Sequence, residues 1–150
     1  MKRALIAAAL LTGCPTGGEP EPTPDPEWGP VSVPLGEQPP NDLAELRLLR
    51  WDPATGAATF NDRVVPFEVN TPLFSDHASK VRAVWVPEGE AMTFAPNDAF
   101  GFPVGSLLLK NFLLPADLRA PEEDVRLIET RLLIKQEDGW EQWPYVWEED

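Results

Sequence analysis

The sequence has few of the residues from which catalytic and metal sites are built. Its 150 residues include one cysteine, one histidine and one tyrosine. A single cysteine excludes a disulfide within the chain, and no Cys-x-x-Cys-His motif is present to attach c-type haem. Motifs for phosphate binding, serine hydrolysis and zinc proteolysis are also missing. We therefore name no catalytic, metal-binding or haem-binding residue, and enzymatic activity stays uncertain.

Basic residues are also scarce. Twelve lysines and arginines stand against 25 aspartates and glutamates, so the formal net charge is −13 at pH 7. A charge of this sign repels nucleic-acid phosphates and anionic lipid, so we expect neither as a partner. Long apolar runs are missing too, since none is long enough to span a bilayer.

Several isolated polar residues are of types that could act in catalysis or metal binding, although none of them has the spacing of a known motif. His77 follows Ser75 and Asp76, but a catalytic triad is assembled from separate elements rather than from neighbours. Four loop residues could offer oxygen to a hard cation, without EF-hand spacing: Asp62, Asp76, Asn97 and Asp98. Three further carboxylates are assigned to the solvated face of a C-terminal hairpin: Glu129, Glu141 and Glu148.

The first 14 residues match the signal of a bacterial lipoprotein. Basic Lys2-Arg3 precedes the apolar stretch Ala4–Leu11, and Leu11-Thr12-Gly13-Cys14 matches a lipobox. This predicts that residues 1–13 are a signal peptide and that Cys14 becomes an acylated N-terminus. Lipid on Cys14 would anchor the protein in the bacterial cell envelope, with the outer membrane favoured. The domain would then face the periplasm or the cell exterior. The alternative is an ordinary cleaved signal with an incidental cysteine.

Residues 14–40 have the composition of a linker. Nine of the 18 prolines lie between Pro15 and Pro40, together with glycines and acidic residues. Such a segment has little to bury and much that prevents a helix, so we predict an extended, disordered tether. Trp28 is the one residue in it that is suited to docking.

Residues 41–150 are predicted to form one β-rich domain. Asn41–Leu49 has a capping signal and helical spacing, so it predicts a short helix. Val81–Pro87 alternates like a strand, and Ala91–Ala95 is a candidate returning strand. Ser106–Leu114 is short and apolar, which favours a buried strand. Short strands separated by turn signals indicate a mainly β fold, an antiparallel sandwich or barrel-like domain with minor helix.

The stretch Arg126–Trp147 predicts a β-hairpin around the turn Asp138-Gly139, since a type I′ turn favours Asp-Gly. The predicted cross-strand pairs share one face with Ile128: Ile134 with Trp143, Leu132 with Tyr145, and Thr130 with Trp147. Arg131, Lys135 and Gln142 fall on the other face. Trp140 falls outside the aromatic face, opposite Glu137. It is the aromatic residue that we expect to be presented to a sugar or a protein partner.

Ordered stretches from Asn70 to Trp147 resemble a family of exported bacterial proteins often named diheme c-type cytochromes. The matching stretches are NTPLFSD (70–76), WVPEG (85–89), FPVG (102–105) with KNF (110–112), LIETRLL (127–133), GW (139–140) and PYVW (144–147). In that family a β-rich region precedes the part that carries the haem attachment sites. The resemblance therefore implies an extracytoplasmic, non-haem module that is accessory to a cytochrome-like electron-transfer protein.

The same resemblance implies a cytochrome or another redox partner. Haem c is expected only in a separate or missing C-terminal part, so the domain at 41–150 would be C-terminally truncated, encoded by a split gene, or active alone. The alternative is a free-standing lipoprotein that binds carbohydrate or a protein through surface aromatics such as Trp140.

Overall fold

The computed structural model describes residues 28–148, so the predicted signal peptide, Cys14 and the linker to residue 27 lie outside the described residues. The elements are a 3₁₀ helix at Leu43–Leu46 and seven strands. The strands are β1 Leu49–Asp52, β2 Ala57–Phe60, β3 Val65–Phe67, β4 Ser79–Trp85, β5 Leu107–Pro115, β6 Val125–Gln136 and β7 Gly139–Val146. The prediction of a mainly β fold with minor helix is confirmed.

The strands form two antiparallel sheets. β1 and β2 make a two-stranded sheet, and β3 to β7 make a five-stranded sheet in which each strand pairs with its neighbour in sequence. Neither sheet closes on itself, so the arrangement is compatible with a sandwich and is not a barrel. Within residues 28–148 no helix is long and apolar enough to cross a membrane.

The hydrophobic core lies on one face of the five-stranded sheet. β5 is its central strand, and Leu107 and Leu109 are 0% and 1% exposed. Ala83 and Leu132 lie opposite Leu109 on the two neighbouring strands. The 3₁₀ helix and β1 contribute Leu43, Leu46 and Leu49 to the same cluster. The small sheet and the 3₁₀ helix therefore form a second layer over this face.

Two short predicted elements have different outcomes. Asp42 caps the helical turn, because its carboxylate accepts a hydrogen bond from the Ala44 amide at 2.9 Å. The helix predicted near Asn41–Leu49 is thus present as one 3₁₀ turn. The returning strand predicted at Ala91–Ala95 is wrong, since only an isolated bridge joins Thr93 and Gly101. The segment has no further strand partner that would extend this bridge into a ladder.

Residues 28–40 contact the domain, although the sequence predicts a disordered tether up to residue 40. Trp28 is buried and lies under the Arg50 guanidinium, 4.6 Å from the ring centroid. Val31 and Val33 pack against the core. We call residues 28–40 the strap, and its carbonyl groups accept four side-chain hydrogen bonds from the domain. The donors are Arg47 to Pro30, Asn61 to Gly29, Gln136 to Pro34 and Tyr145 to Pro40.

The C-terminal hairpin is present, but its register differs by two residues from the predicted one. Gln136 pairs with Gly139, so Glu137 and Asp138 are the turn residues. Neither has a positive φ, whereas Gly139 has φ +156°. The turn is therefore not the type I′ turn that Asp-Gly favours, and Gly139 instead starts β7.

The observed pairs are Thr130 with Tyr145, Leu132 with Trp143 and Ile134 with Glu141. Because a shift of two residues keeps side chains on the same face, the predicted aromatic face is still correct. Trp143, Tyr145 and Trp147 all pack against the core. Glu141 lies opposite Ile134 on the same side of β7, but it is exposed and is therefore solvated as predicted.

A β-bulge changes the placement of Ile128. Phe112 lies opposite Glu129 but Leu113 lies opposite Leu127, so Ile128 is the extra residue on β6. Leu127 is consequently the buried residue at this end of the strand, at 6% exposure. The backbone carbonyl of Ile128 accepts a hydrogen bond from the Trp147 amide at 3.1 Å. Alternation alone places Ile128 on the core face and cannot reveal the inserted residue.

Tyr145 connects the strap to β7 and provides a pH-dependent prediction. Its hydroxyl donates to the Pro40 carbonyl at 2.9 Å. Burial raises the pKa of Tyr145 above its usual value of 10.0, and the carboxylates of Asp42 and Glu45 add to the rise. The stability that the protonated Tyr145 hydroxyl contributes to the fold is complete below pH 10 and is lost as the pH rises through the folded-state pKa. Tyr145 is also the only tyrosine in the chain.

We expect the phenolate absorbance of the folded chain to titrate at a higher pH than that of the urea-unfolded chain. The free energy of unfolding should fall above pH 10, and this fall should be smaller in Tyr145→Phe. Equal tyrosine pKa values in the folded and unfolded chains would contradict the prediction.

Candidate interaction face on the five-stranded sheet

The second face of the five-stranded sheet has no layer over it. The small sheet and the 3₁₀ helix belong to the core cluster on the opposite side, so no described helix or strand lies over this second face. We call it the outer face. The register places these side chains on it: Val65, Phe67, Lys80, Arg82, Val84, Leu108, Lys110, Phe112, Leu114, Arg126, Glu129, Arg131, Leu133, Lys135, Trp140, Gln142, Pro144 and Val146.

The outer face is basic although the chain is acidic. Six of the twelve lysines and arginines lie on its strands, with Glu129 as the single carboxylate among these strand positions. Arg82, Lys110 and Arg131 are directly opposite one another on three adjacent strands. Like charges placed opposite each other destabilise a sheet, so this row costs the fold some stability.

Phe112 lies beneath this row. Lys110 Nζ and Arg131 Cζ are 4.7 Å and 4.8 Å from the centroid of its ring. Phe112 itself is only 7% exposed. Attraction between a cation and an aromatic ring offsets part of the repulsion within the row. Glu129 binds Arg131, with 2.5 Å between Oε1 and Nε.

Lys110 and Arg82 have no carboxylate partner among residues 28–148 that would neutralise them. Burial lowers the pKa of Lys110 below its usual value, and the nearby charges of Arg82, Arg131 and Lys80 lower it further. Glu129 acts in the opposite direction. The contributions of Arg82, Arg131 and Lys80 reflect the positive charge that lies around Lys110.

Apolar side chains border the cations at two ends of the outer face. At one end Trp140 is 38% exposed, and its ring meets Phe102 edge-on with 5.2 Å between centroids. At the other end Lys80 Nζ donates to the Leu73 carbonyl, which ties the loop containing Leu73 and Phe74 to the sheet. These two loop side chains are 79% and 74% exposed. The face therefore combines a cationic centre with exposed apolar margins.

The structure gives contacts for several of the other candidate residues. His77 meets the ring of Phe74 edge-on, with 5.2 Å between centroids. Among residues 28–148 no three acidic, histidine or cysteine side chains lie close enough to hold a metal ion. Glu141 Oε2 accepts a hydrogen bond from Gln136 at 3.2 Å, and Glu129 is bound to Arg131.

A shallow depression of about 240 Å³ lies between the strap and β7. Its lining includes Gln38, Asn41, Trp143 and Tyr145, but not Trp140. The Trp143 Nε1 group is buried and has no hydrogen-bond partner among the described residues. Trp140 is thus the exposed aromatic that the sequence indicates, but it belongs to the outer face rather than to this depression.

Sequence reasoning recognised Arg131 and Lys135 as solvent-facing but missed the outer face as a unit. The signal is present in the alternation of Lys80 with Arg82 and of Arg131 with Lys135, since alternate residues share a face. Only the register of β5 against both neighbours brings Lys110 between them. Comparison of the chain with known protein families, curated proteins and solved structures found no match.

Proposed function

We propose that this chain is a lipid-anchored, extracytoplasmic β-domain that serves as the non-haem, accessory module of a cytochrome-c-like electron-transfer protein, without catalysis of its own. The outer face supports a docking role, because it has cations and exposed apolar side chains but no covering layer. Such a surface is typical of a site for a partner. The ordered resemblance supports a redox protein as that partner.

The anchor follows from the lipobox, in which Cys14 is the only cysteine. The wild-type protein should fractionate with membranes, and Cys14→Ser should move it to the soluble fraction, since several acyl chains provide stable anchoring. Fractionation by ultracentrifugation with immunodetection measures this. Thr12→Ser, which leaves the lipobox cysteine intact, is the matched control. Membrane association of Cys14→Ser would show that the anchor lies elsewhere.

The electron-transfer role has a test of its own. A reading frame that continues past the codon for Asp150, or one next to it, should encode Cys-x-x-Cys-His, because haem c needs two thiols and an axial histidine. Absence of such a frame from the neighbouring DNA would count against the accessory role. It would not affect the anchor.

The second candidate function is a free-standing lipoprotein that binds carbohydrate or a protein through aromatics. The exposed ring of Trp140, held edge-on against Phe102, favours it. Glycan-array binding that disappears in Trp140→Ala and persists in Trp51→Phe would support this function over the accessory one.

A further inference from the structure

The row Arg82–Lys110–Arg131 needs an explanation, because it is unfavourable for the isolated domain. Like charges face each other across three strands, and two of them have no carboxylate partner within residues 28–148. An apolar or neutral residue at position 110 would avoid the repulsion. Retention of a locally costly arrangement is typical of a functional site.

We infer that the outer face docks a protein partner that presents a centre of carboxylates with apolar side chains around it. This inference rests on the docking role proposed above and adds the chemistry of the partner. Carboxylates of the partner would pair with Arg82 and Lys110, and its apolar groups would cover Trp140 at one margin and Leu73 and Phe74 at the other. Arg82 and Lys110 would then be desolvated, and each would gain a carboxylate as its counter-charge.

The dimensions of the face suit a small interface. Five strands that lie about 4.8 Å apart span roughly 20 Å. Along each strand, side chains of one face repeat about every 6.8 Å, so the exposed surface measures roughly 20 Å by 20 Å. This is about half of the ~800 Å² that each partner buries in a standard complex. Loops carrying Phe102 and Phe74 extend it at two ends. Small interfaces of this kind are typical of transient redox contacts.

Charge argues against two other occupants. A second copy docked face to face would place six cations against six cations, which is repulsive in a desolvated interface. An anionic bilayer is an extended surface, so it would also meet the acidic remainder of a chain whose net charge is −13. A discrete acidic protein needs to approach only the outer face.

The test uses the full-length chain carrying Cys14→Ser, labelled with ¹⁵N, and poly-L-glutamate as the probe in NMR titrations. Shift changes should be confined to the outer face and should weaken as salt is raised. The double variant Arg82→Met/Lys110→Met should weaken binding about tenfold or more, since each lost charged hydrogen bond has that order of effect. The stem of Met still covers Phe112.

The double variant should melt at the same temperature as the parent or higher, because the repulsive row is gone. A merely structural role for Lys110 would instead lower the melting temperature. The matched control is Arg119→Met/Arg63→Met, which removes the same charge from loops outside the five-stranded sheet. It should leave binding unchanged.

Four results would overturn the inference. They are no shifts with poly-L-glutamate, shifts outside the outer face, equal or tighter binding to phosphatidylglycerol vesicles, and dimerisation through this face in sedimentation experiments. A fifth is a change in outer-face resonances on deletion of residues 15–27, which would assign the face to the acidic N-terminal segment instead. None of these results depends on haem-encoding DNA or on fractionation, so failure of the redox role and failure of the partner chemistry are separable.

Discussion

Leu109→Ala should reduce the free energy of unfolding by about 2–5 kcal/mol, the range found for deletion of a buried leucine side chain. Leu109 is 1% exposed and lies at the centre of β5, between Ala83 and Leu132. The backbone of a paired central strand cannot collapse into the space left behind, so a cavity should remain. Since domains are stable by about 5–15 kcal/mol, the change removes a large share of the total.

Urea denaturation followed by tryptophan fluorescence measures this loss as a lower midpoint with an unchanged slope. Leu108→Ala is the matched control, because Leu108 is the next residue of the same strand and faces the uncovered side. Its cost should be less than half that of Leu109→Ala. Equal costs for the two leucines would mean that a layer also covers the outer face.

Removal of the strap should unfold the domain or leave it only marginally stable. A chain that begins at Asn41, the boundary that the sequence suggests, lacks Trp28, Val31 and Val33 from the core. Loss of one large buried aromatic side chain costs about 3–5 kcal/mol. The same truncation leaves the Asn61, Gln136 and Tyr145 side chains without their strap carbonyls.

Circular dichroism melting of the full-length chain and three altered chains measures the effect. A chain beginning at Asp25 keeps the strap and should melt cooperatively near the temperature of the full-length chain. The chain beginning at Asn41 should melt far lower or without cooperativity, and full-length Trp28→Ala should fall between them. A cooperative and unchanged melt of the chain beginning at Asn41 would show that the strap is only a surface contact.

The strap shows why amino-acid composition alone does not reveal where ordered structure begins. Proline and glycine prevent regular structure, and residues 28–40 indeed contain no helix or strand. Irregular backbone can still be ordered when side chains of a folded core satisfy its carbonyl groups. The donors Asn61, Gln136 and Tyr145 lie 32, 102 and 105 residues away from their acceptors. No local pattern could have indicated these contacts.

In the hairpin, too, the sequence predicted one feature correctly and another wrongly. Alternation in Thr130–Ile134 and Trp143–Trp147 correctly predicted which residues face the core, since the two-residue period depends only on backbone geometry. The pairing itself depended on the turn, and the Asp-Gly preference placed that turn one residue too late. The bulge at Ile128 likewise depends on how β5 and β6 fit together.

The sequence by itself determined the β-rich class, the buried strand β5, the core face of the hairpin and the exposure of Trp140. Each of these follows from local periodicity or from side-chain chemistry. Only the tertiary structure decided the register, the contacts of the strap and the outer face. Lys110 is flanked by Arg82 and Arg131 because two separate pairings place three strands side by side. Neighbours across a sheet are set by register, which is a property of the whole fold.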